Sequence, residues 1–279
     1  MIQGFDYASV DGNHAPPADA AGAFVIVRGA FSYKGKIIFD QHLERDRGPT
    51  TAAGKVFGSY LILGYDQAGP TPEVQARGFI AAYGARRDGE LPPALDVEFP
   101  GADGRKSYGI SAAEALEWTL RAYRILLSFY GVVMIYTSAR VWHEDLADLP
   151  CPELADAPLW IKTAYAYKAG QPDHPEACPV PMIVTANLPV PWRAAGSAGA
   201  WINQYQGDAK GVHGYSSTVD CNSWMVASEF GLGSHDARAQ WVAGKLSRAN
   251  VRSVVEFQRV HGLQMDGVIG PRTFAALAH

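Results

Sequence analysis

Short apolar runs rich in Val, Ile and Tyr recur through the first 225 residues, at 24–27, 60–63, 94–97, 132–136, 159–162, 182–184 and 201–204. Runs of this length without strict alternation are the pattern of strands buried on both faces. Polar and helix-forming segments lie between several of them. Thr71-Pro-Glu73 sets a capping residue before a first-turn proline and an acid, and Ser111-Ala-Ala-Glu114 is a capping box that opens a helix running to Tyr130 and ending at Gly131. Strand, helix and strand at intervals of about 35 residues predict a parallel sheet, and the number of strands favours closure into a barrel. Beyond residue 160 the helix signals fade, because 171–181 and 188–199 are rich in Pro, Gly and Ala. The expectation is an α/β fold: a modified TIM-like (β/α) barrel whose closing strands are poor in helices.

The pattern changes at Gly231-Leu-Gly-Ser234. Helical spacing follows over 237–247, 251–260 and 271–278, so the predicted division is a barrel over 1–230, a linker over 231–236 and a small all-α unit over 237–279. A unit of about 45 residues is near the lower limit for folding alone, and it is expected to rest against the barrel.

Composition narrows the function. Hydrophobic residues make up 48% of the 279-residue chain and charged residues 19%, which is ordinary for a globular protein. The formal net charge is −4 and no basic run is interleaved with aromatics, so nucleic acid is not an expected partner. Residues 236–279 differ locally, with six basic and three acidic side chains. Cys151, Cys178 and Cys221 are too few and too scattered for a disulfide framework or a metal knuckle. The start of the chain has no basic and apolar leader pattern, and no run approaches 18 apolar residues, so cytoplasmic synthesis without a signal peptide or membrane anchor is expected.

Candidate chemistry is concentrated at strand ends. Asp96 and Glu98 are two apart, so they share one face with Cα atoms about 6.6 Å apart. In a barrel that face is the lumen, and strand ends are where barrel enzymes carry reactive groups. Two carboxylates in a partly desolvated mouth cannot both ionise freely, so one keeps a proton and can act as a general acid, the group that glycosidic cleavage demands. The competing reading makes the pair the flank of a turn, since Phe99-Pro-Gly101 follows. Asp6 would end the first strand and Asp220 would stand near the closing strand, which puts the two side by side if the barrel closes. Tyr60, Tyr136, Trp160, Gln204 and Tyr205 lie on or just after strands and are candidate sugar-binding side chains, with core packing as the alternative. No HExxH, GxSxG or phosphate loop is present, no histidine stands out as a base for Cys221, and neither metal nor cofactor is expected.

In order and spacing, Gly4-Phe-Asp6, Phe24-Val-Ile-Val-Arg28, Gly58-Ser-Tyr60, Leu91-Pro-Pro-Ala-Leu-Asp-Val-Glu98, Met134-Ile-Tyr-Thr-Ser138, Pro158-Leu-Trp-Ile161, Trp201-Ile-Asn-Gln-Tyr205 and Val219-Asp-Cys-Asn222 resemble glycoside hydrolase family 25, the muramidases of bacteria and their phages. The resemblance covers about residues 2–226. It implies hydrolysis of the β-1,4 bond between N-acetylmuramic acid and N-acetylglucosamine, with Glu98 as general acid/base, Asp96 as its partner, and Asp6 and Asp220 completing the acidic site. The chain departs from the family where Arg28-Gly-Ala-Phe-Ser32 stands in place of Lys-Ala-Thr-Glu-Gly, where Tyr60-Leu-Ile62 replaces Tyr-His-Phe, and where Tyr7-Ala-Ser-Val-Asp11 lacks a Trp-Gln. The tail from Val254 to Leu277, with Asp266-Gly267 and Gly270-Pro-Arg-Thr273, is similar to the peptidoglycan-binding helical domain of wall hydrolases. Together these imply peptidoglycan as partner, a monomer, and a phage endolysin that depends on a holin pore for export. The alternatives are a non-catalytic or altered-specificity wall-binding protein, a different bacterial amino-sugar polymer as target, or an effector delivered to a rival cell.

Overall fold

The computed structural model of the chain describes residues 2–8, 11–13, 16–98, 109–163, 188–193, 199–210, 212–224, 242 and 245–279. In chain order the elements are β1 (Ile2–Tyr7), β2 (Phe24–Tyr33), β3 (Lys36–Phe39), α1 (His42–Ala52), β4 (Val56–Ile62), α2 (Pro72–Tyr83), β5 (Ala94–Asp96), α3 (Ala112–Tyr130), β6 (Met134–Ser138), α4 (Ala139–Glu144), α5 (Pro152–Ala155), β7 (Leu159–Lys162), β8 (Ala200–Ala209), β9 (Val219–Trp224), α6 (Val254–Val260) and α7 (Pro271–Leu277). The strands form one sheet in the order β1-β9-β8-β7-β6-β5-β4-β2-β3, and β1 also pairs with β2. That pairing closes a ring of eight strands, with β3 attached to β2 alone. The TIM-like barrel expected from the sequence is the fold observed.

Neighbouring positions on the strands divide between two cores. Phe24, Ile26, Ala94, Met134, Tyr136, Trp160, Ile202 and Trp224 pack inside the ring. Val25, Val27, Leu61, Leu95, Ile135, Leu159 and Ile161 pack outward with the helices. Burial on both faces is why these strands read as apolar runs. Gly4 belongs to the same economy of space: a Cβ there would lie 2.2 Å from the Phe24 ring, so the absence of a side chain lets Phe24 fill the bottom of the lumen.

The helices begin and end for local reasons. Thr71 accepts from the Val74 N–H ahead of α2, and Ser111 and Glu114 complete a capping box at α3. Gly131 ends α3 at φ 74°, the left-handed conformation that favours glycine. Arg121 on α3 donates to both carboxylate oxygens of Glu73 on α2, at 2.5 and 2.9 Å, and so pins the two helices together.

Three features differ from the pattern read in the sequence. β2 runs on past the rim of the ring and folds back as β3 through Lys34-Gly35, both at positive φ, the geometry of a type I′ hairpin. β9 is antiparallel to both of its neighbours, β8 and β1. The segment joining β1 to β2 contains turns and no α-helix among its described residues. The strand expected at 182–184, the loop at 171–181, the linker at 231–236 and the front of the first tail helix lie outside the described residues. No described helix is long and apolar enough to cross a membrane.

The described part of the tail packs against the bottom of the barrel, the end where β2 and β8 begin and β9 finishes. Phe274 of α7 is fully buried, with its ring 4.3 Å from Trp201 and 5.2 Å from Trp224. The Trp224 Nε1–H donates to the Ile269 carbonyl at 2.8 Å. Leu246, Phe257 and Leu277 join Phe24 and both tryptophans in one continuous apolar cluster.

Candidate active site

At the other end of the ring, the mouth, several strands carry polar groups. β1 contributes Asp6, and β5 ends on Asp96 with Glu98 two residues later. β9 runs the opposite way and therefore begins at the mouth, where Asp220 is the registered partner of Asp6. All four acids singled out in the sequence converge here. Asp6 and Asp220 are adjacent because the closing strand pairs with the first, in antiparallel rather than parallel register.

Two amide side chains organise this cluster. Gln204, on β8, receives the Tyr136 hydroxyl on Oε1 at 2.7 Å and donates through Nε2 to Asp6 at 3.0 Å and Asp220 at 3.1 Å. Asn222, on β9, receives the Trp160 Nε1–H on Oδ1 at 2.8 Å and donates through Nδ2 to Asp6 Oδ1 at 2.7 Å. Each aromatic donor fixes which way its amide points, and each amide then presents N–H to a carboxyl. Asp208, at φ 54°, directs its backbone N–H to Asp220 at 2.8 Å.

Tyr60, Tyr136 and Trp160 are buried, with the Trp160 ring 5.9 Å from Tyr60 and 4.6 Å from Tyr136. They form the floor beneath the acids. Tyr205 is not brought to the mouth. It lies on the outer face of β8, buried in the outward core, and its hydroxyl accepts from Gln3 at 3.3 Å. Tyr205 falls at the irregularity in the β8–β9 register between Gln204 and Gln206, and its side chain joins the outward core while Gln204 reaches the acids.

Burial sets the electrostatics. Asp6 is pushed well above the usual carboxylate range by desolvation and then by the charge of Asp220, against the hydrogen bonds from Asn222 and Gln204. Asp96 is pushed well above its ordinary value by desolvation and then by Glu98. Its Oδ1 is buried and has no hydrogen-bond partner among the described residues. Desolvation lifts Asp220 to about 6. Within the Asp96–Glu98 pair, Asp96 is the buried member. Glu98 stands further out, with its side chain 31% exposed and its Oε1 accepting from Lys162 Nζ at 3.2 Å.

The site therefore sets two buried carboxyls, Asp6 and Asp96, beside two half-buried ones, Glu98 and Asp220, on a floor of aromatic rings. Such an arrangement suits proton transfer to and from a polar, uncharged substrate. The sequence reading missed Asn222 as a site member, although it is part of a quoted motif, and missed Lys162 and Asp208. An amide two residues from an acid on one strand was the available signal for Asn222. A single lysine at a strand end gave none.

No curated protein sequence matches the chain. Solved structures do. A bacterial lysozyme from Streptomyces coelicolor superposes with a TM-score of 0.61 at 19% identity, over 86% of this chain and 98% of the other. A muramidase from Acremonium alcalophilum gives 0.60 at 22% identity, over 86% and 99%. A family GH25 lysozyme from Aspergillus fumigatus gives 0.57 at 18% identity, over 80% and 93%. Separately, residues 238–277 match the family model for a putative peptidoglycan binding domain. The barrel thus has the fold of these lysozymes and muramidases, and it is followed by a segment similar to peptidoglycan-binding domains.

Proposed function

We propose that this chain is a muramidase that hydrolyses the β-1,4 bond between N-acetylmuramic acid and N-acetylglucosamine in bacterial peptidoglycan. The observation that carries the reading is the convergence of Asp6, Asp96, Glu98 and Asp220 at one barrel mouth, with Glu98 partly exposed beside the buried Asp96. The neighbouring wall-cutting structures and the wall-binding match of the tail support the same substrate independently.

In this reading Glu98 delivers a proton to the glycosidic oxygen as the bond breaks, then takes one from the water that completes hydrolysis. Asp96, with one oxygen buried and unpartnered, meets a donor on the substrate, for which the N–H of a 2-acetamido group is suited. Asp6 and Asp220, held by Gln204 and Asn222, shape the sugar-binding floor with Tyr60, Tyr136 and Trp160. Residues 1–230 are the catalytic unit and 237–279 the wall-binding unit, joined by 231–236. A phage endolysin that reaches the wall through a holin pore is the biological setting proposed.

The test is Glu98→Gln, which keeps size and hydrogen bonding but cannot shuttle a proton. Release of reducing sugar from purified peptidoglycan is expected to fall by a factor on the order of 100 or more, while thermal unfolding and retention on insoluble wall stay as in the parent protein. Parent-like turnover would remove the assignment.

A further inference from the structure

β7 ends on Lys162, and a cation there is conspicuous in a mouth built from acids. The charged and titratable groups of the same mouth are Asp6 from β1, Arg28 from β2, Tyr60 from β4, Asp96 from β5, Tyr136 from β6, Asp208 at the end of β8 and Asp220 from β9, with Asp11 near Asp6 and Asp220. Arg28 is already engaged by Asp40 at 3.1 Å. Lys162 lies against Glu98 Oε1, and both side chains are 31% exposed.

We propose that Lys162 is a positioning residue of the acid site, holding the Glu98 carboxyl by one oxygen and supplying the counter-charge for the carboxyls around it. The proposal rests on the reading of Glu98 as proton donor. An ammonium within hydrogen-bond reach restricts the Glu98 rotamer and leaves Oε2 for the scissile oxygen. Its field also reaches across the mouth: it draws Asp96 and Asp220 downward against the desolvation that raises them. One side chain from β7 is thereby coupled to carboxyls on β5 and β9.

The experiment compares the parent protein with Lys162→Met and Lys162→Arg, each as the full chain, by carbon-detected NMR titration of the Asp and Glu carboxyls and by pH–rate profiles on purified peptidoglycan. In Lys162→Met the Asp220 titration is expected to move up by about one pH unit, a modest value because the cation is partly solvated. The pH–rate profile shifts in the same direction, because the cation beside the Glu98 donor is gone, and turnover at the optimum falls about tenfold through loss of orientation. Lys162→Arg keeps both near the parent. A titration in Lys162→Met that stays put or moves down overturns the proposal, as does an active variant whose profile superposes on the parent's. If Lys162→Met does not fold, Lys162→Gln carries the same expectations. A parent protein that releases no reducing sugar would remove the muramidase reading, and the NMR titration would still decide the role of Lys162.

Discussion

The acids at the barrel mouth work against the fold that holds them. Asp220 rises from an ordinary value of 3.8 to about 6, chiefly through desolvation, and Asp6 and Asp96 are raised in the same sense. An acid raised by folding binds its proton more tightly in the folded state than in the unfolded one. The stability it contributes is therefore fully present below its unfolded value and is lost as pH climbs through its folded value. For Asp220 that window runs from about pH 4 to about pH 6. Asp220→Asn removes the titration, so the melting temperature of the variant minus that of the parent should grow more positive across this window, by about 3 °C or more for a chain of this size. Thermal scans at pH 4 and pH 7 check it, and a flat or narrowing difference would contradict the burial argument. At this scale the sequence was informative wherever parity decides the outcome. Asp96 and Glu98 share a face because they are two apart, and Gln204 lines the lumen. Tyr205, next to Gln204 at an irregularity in the β8–β9 register, lies in the outward core instead.

Among the elements, α3 shows most plainly how local chemistry sets a boundary. The Ser111 hydroxyl accepts from the Glu114 N–H, and the Glu114 carboxylate accepts from the Ser111 N–H at 2.8 Å. Ser111→Ala should cost about 1 kcal/mol, seen as a lower urea midpoint with unchanged activity on peptidoglycan; a loss below about 0.3 kcal/mol would mean that tertiary packing alone positions the helix. Such caps are legible because they are written within four residues. The β2–β3 hairpin was not, because its turn is Lys34-Gly35 where Asn or Asp before Gly is the common signal. The direction of β9 follows from chain length: residues 210–218 are too few for a crossover that would return a strand parallel to β8. The βα rhythm of the first half gave no warning of this; among the described residues of the β8–β9 connection there are turns and no helix, while most of the β7–β8 connection lies outside the described residues.

Seen whole, the molecule has its acids at one end of the barrel and its tail at the other. Phe274 seals the bottom against Trp201 and Trp224, which would otherwise present two indoles to water. A tail built into the core in this way should unfold together with the barrel. Phe274→Ala is expected to cost about 3–5 kcal/mol and to lower the single melting transition of the full chain. Two transitions, with the upper one unmoved, would mean that barrel and tail are energetically separate. The sequence showed a helical unit too small to be comfortable alone, but not the contact, because Trp201 reads as an ordinary strand residue until the ring places it, with Trp224, at the bottom of the barrel.

The muramidase reading turns on which bond is cut. Digesting purified sacculi with the parent protein and with Glu98→Gln, then identifying the new reducing ends by mass spectrometry, tests it most directly. The account predicts N-acetylmuramic acid at the new reducing ends with the parent and none with the variant. Reducing N-acetylglucosamine ends, or freed peptides without new reducing sugar, would contradict it.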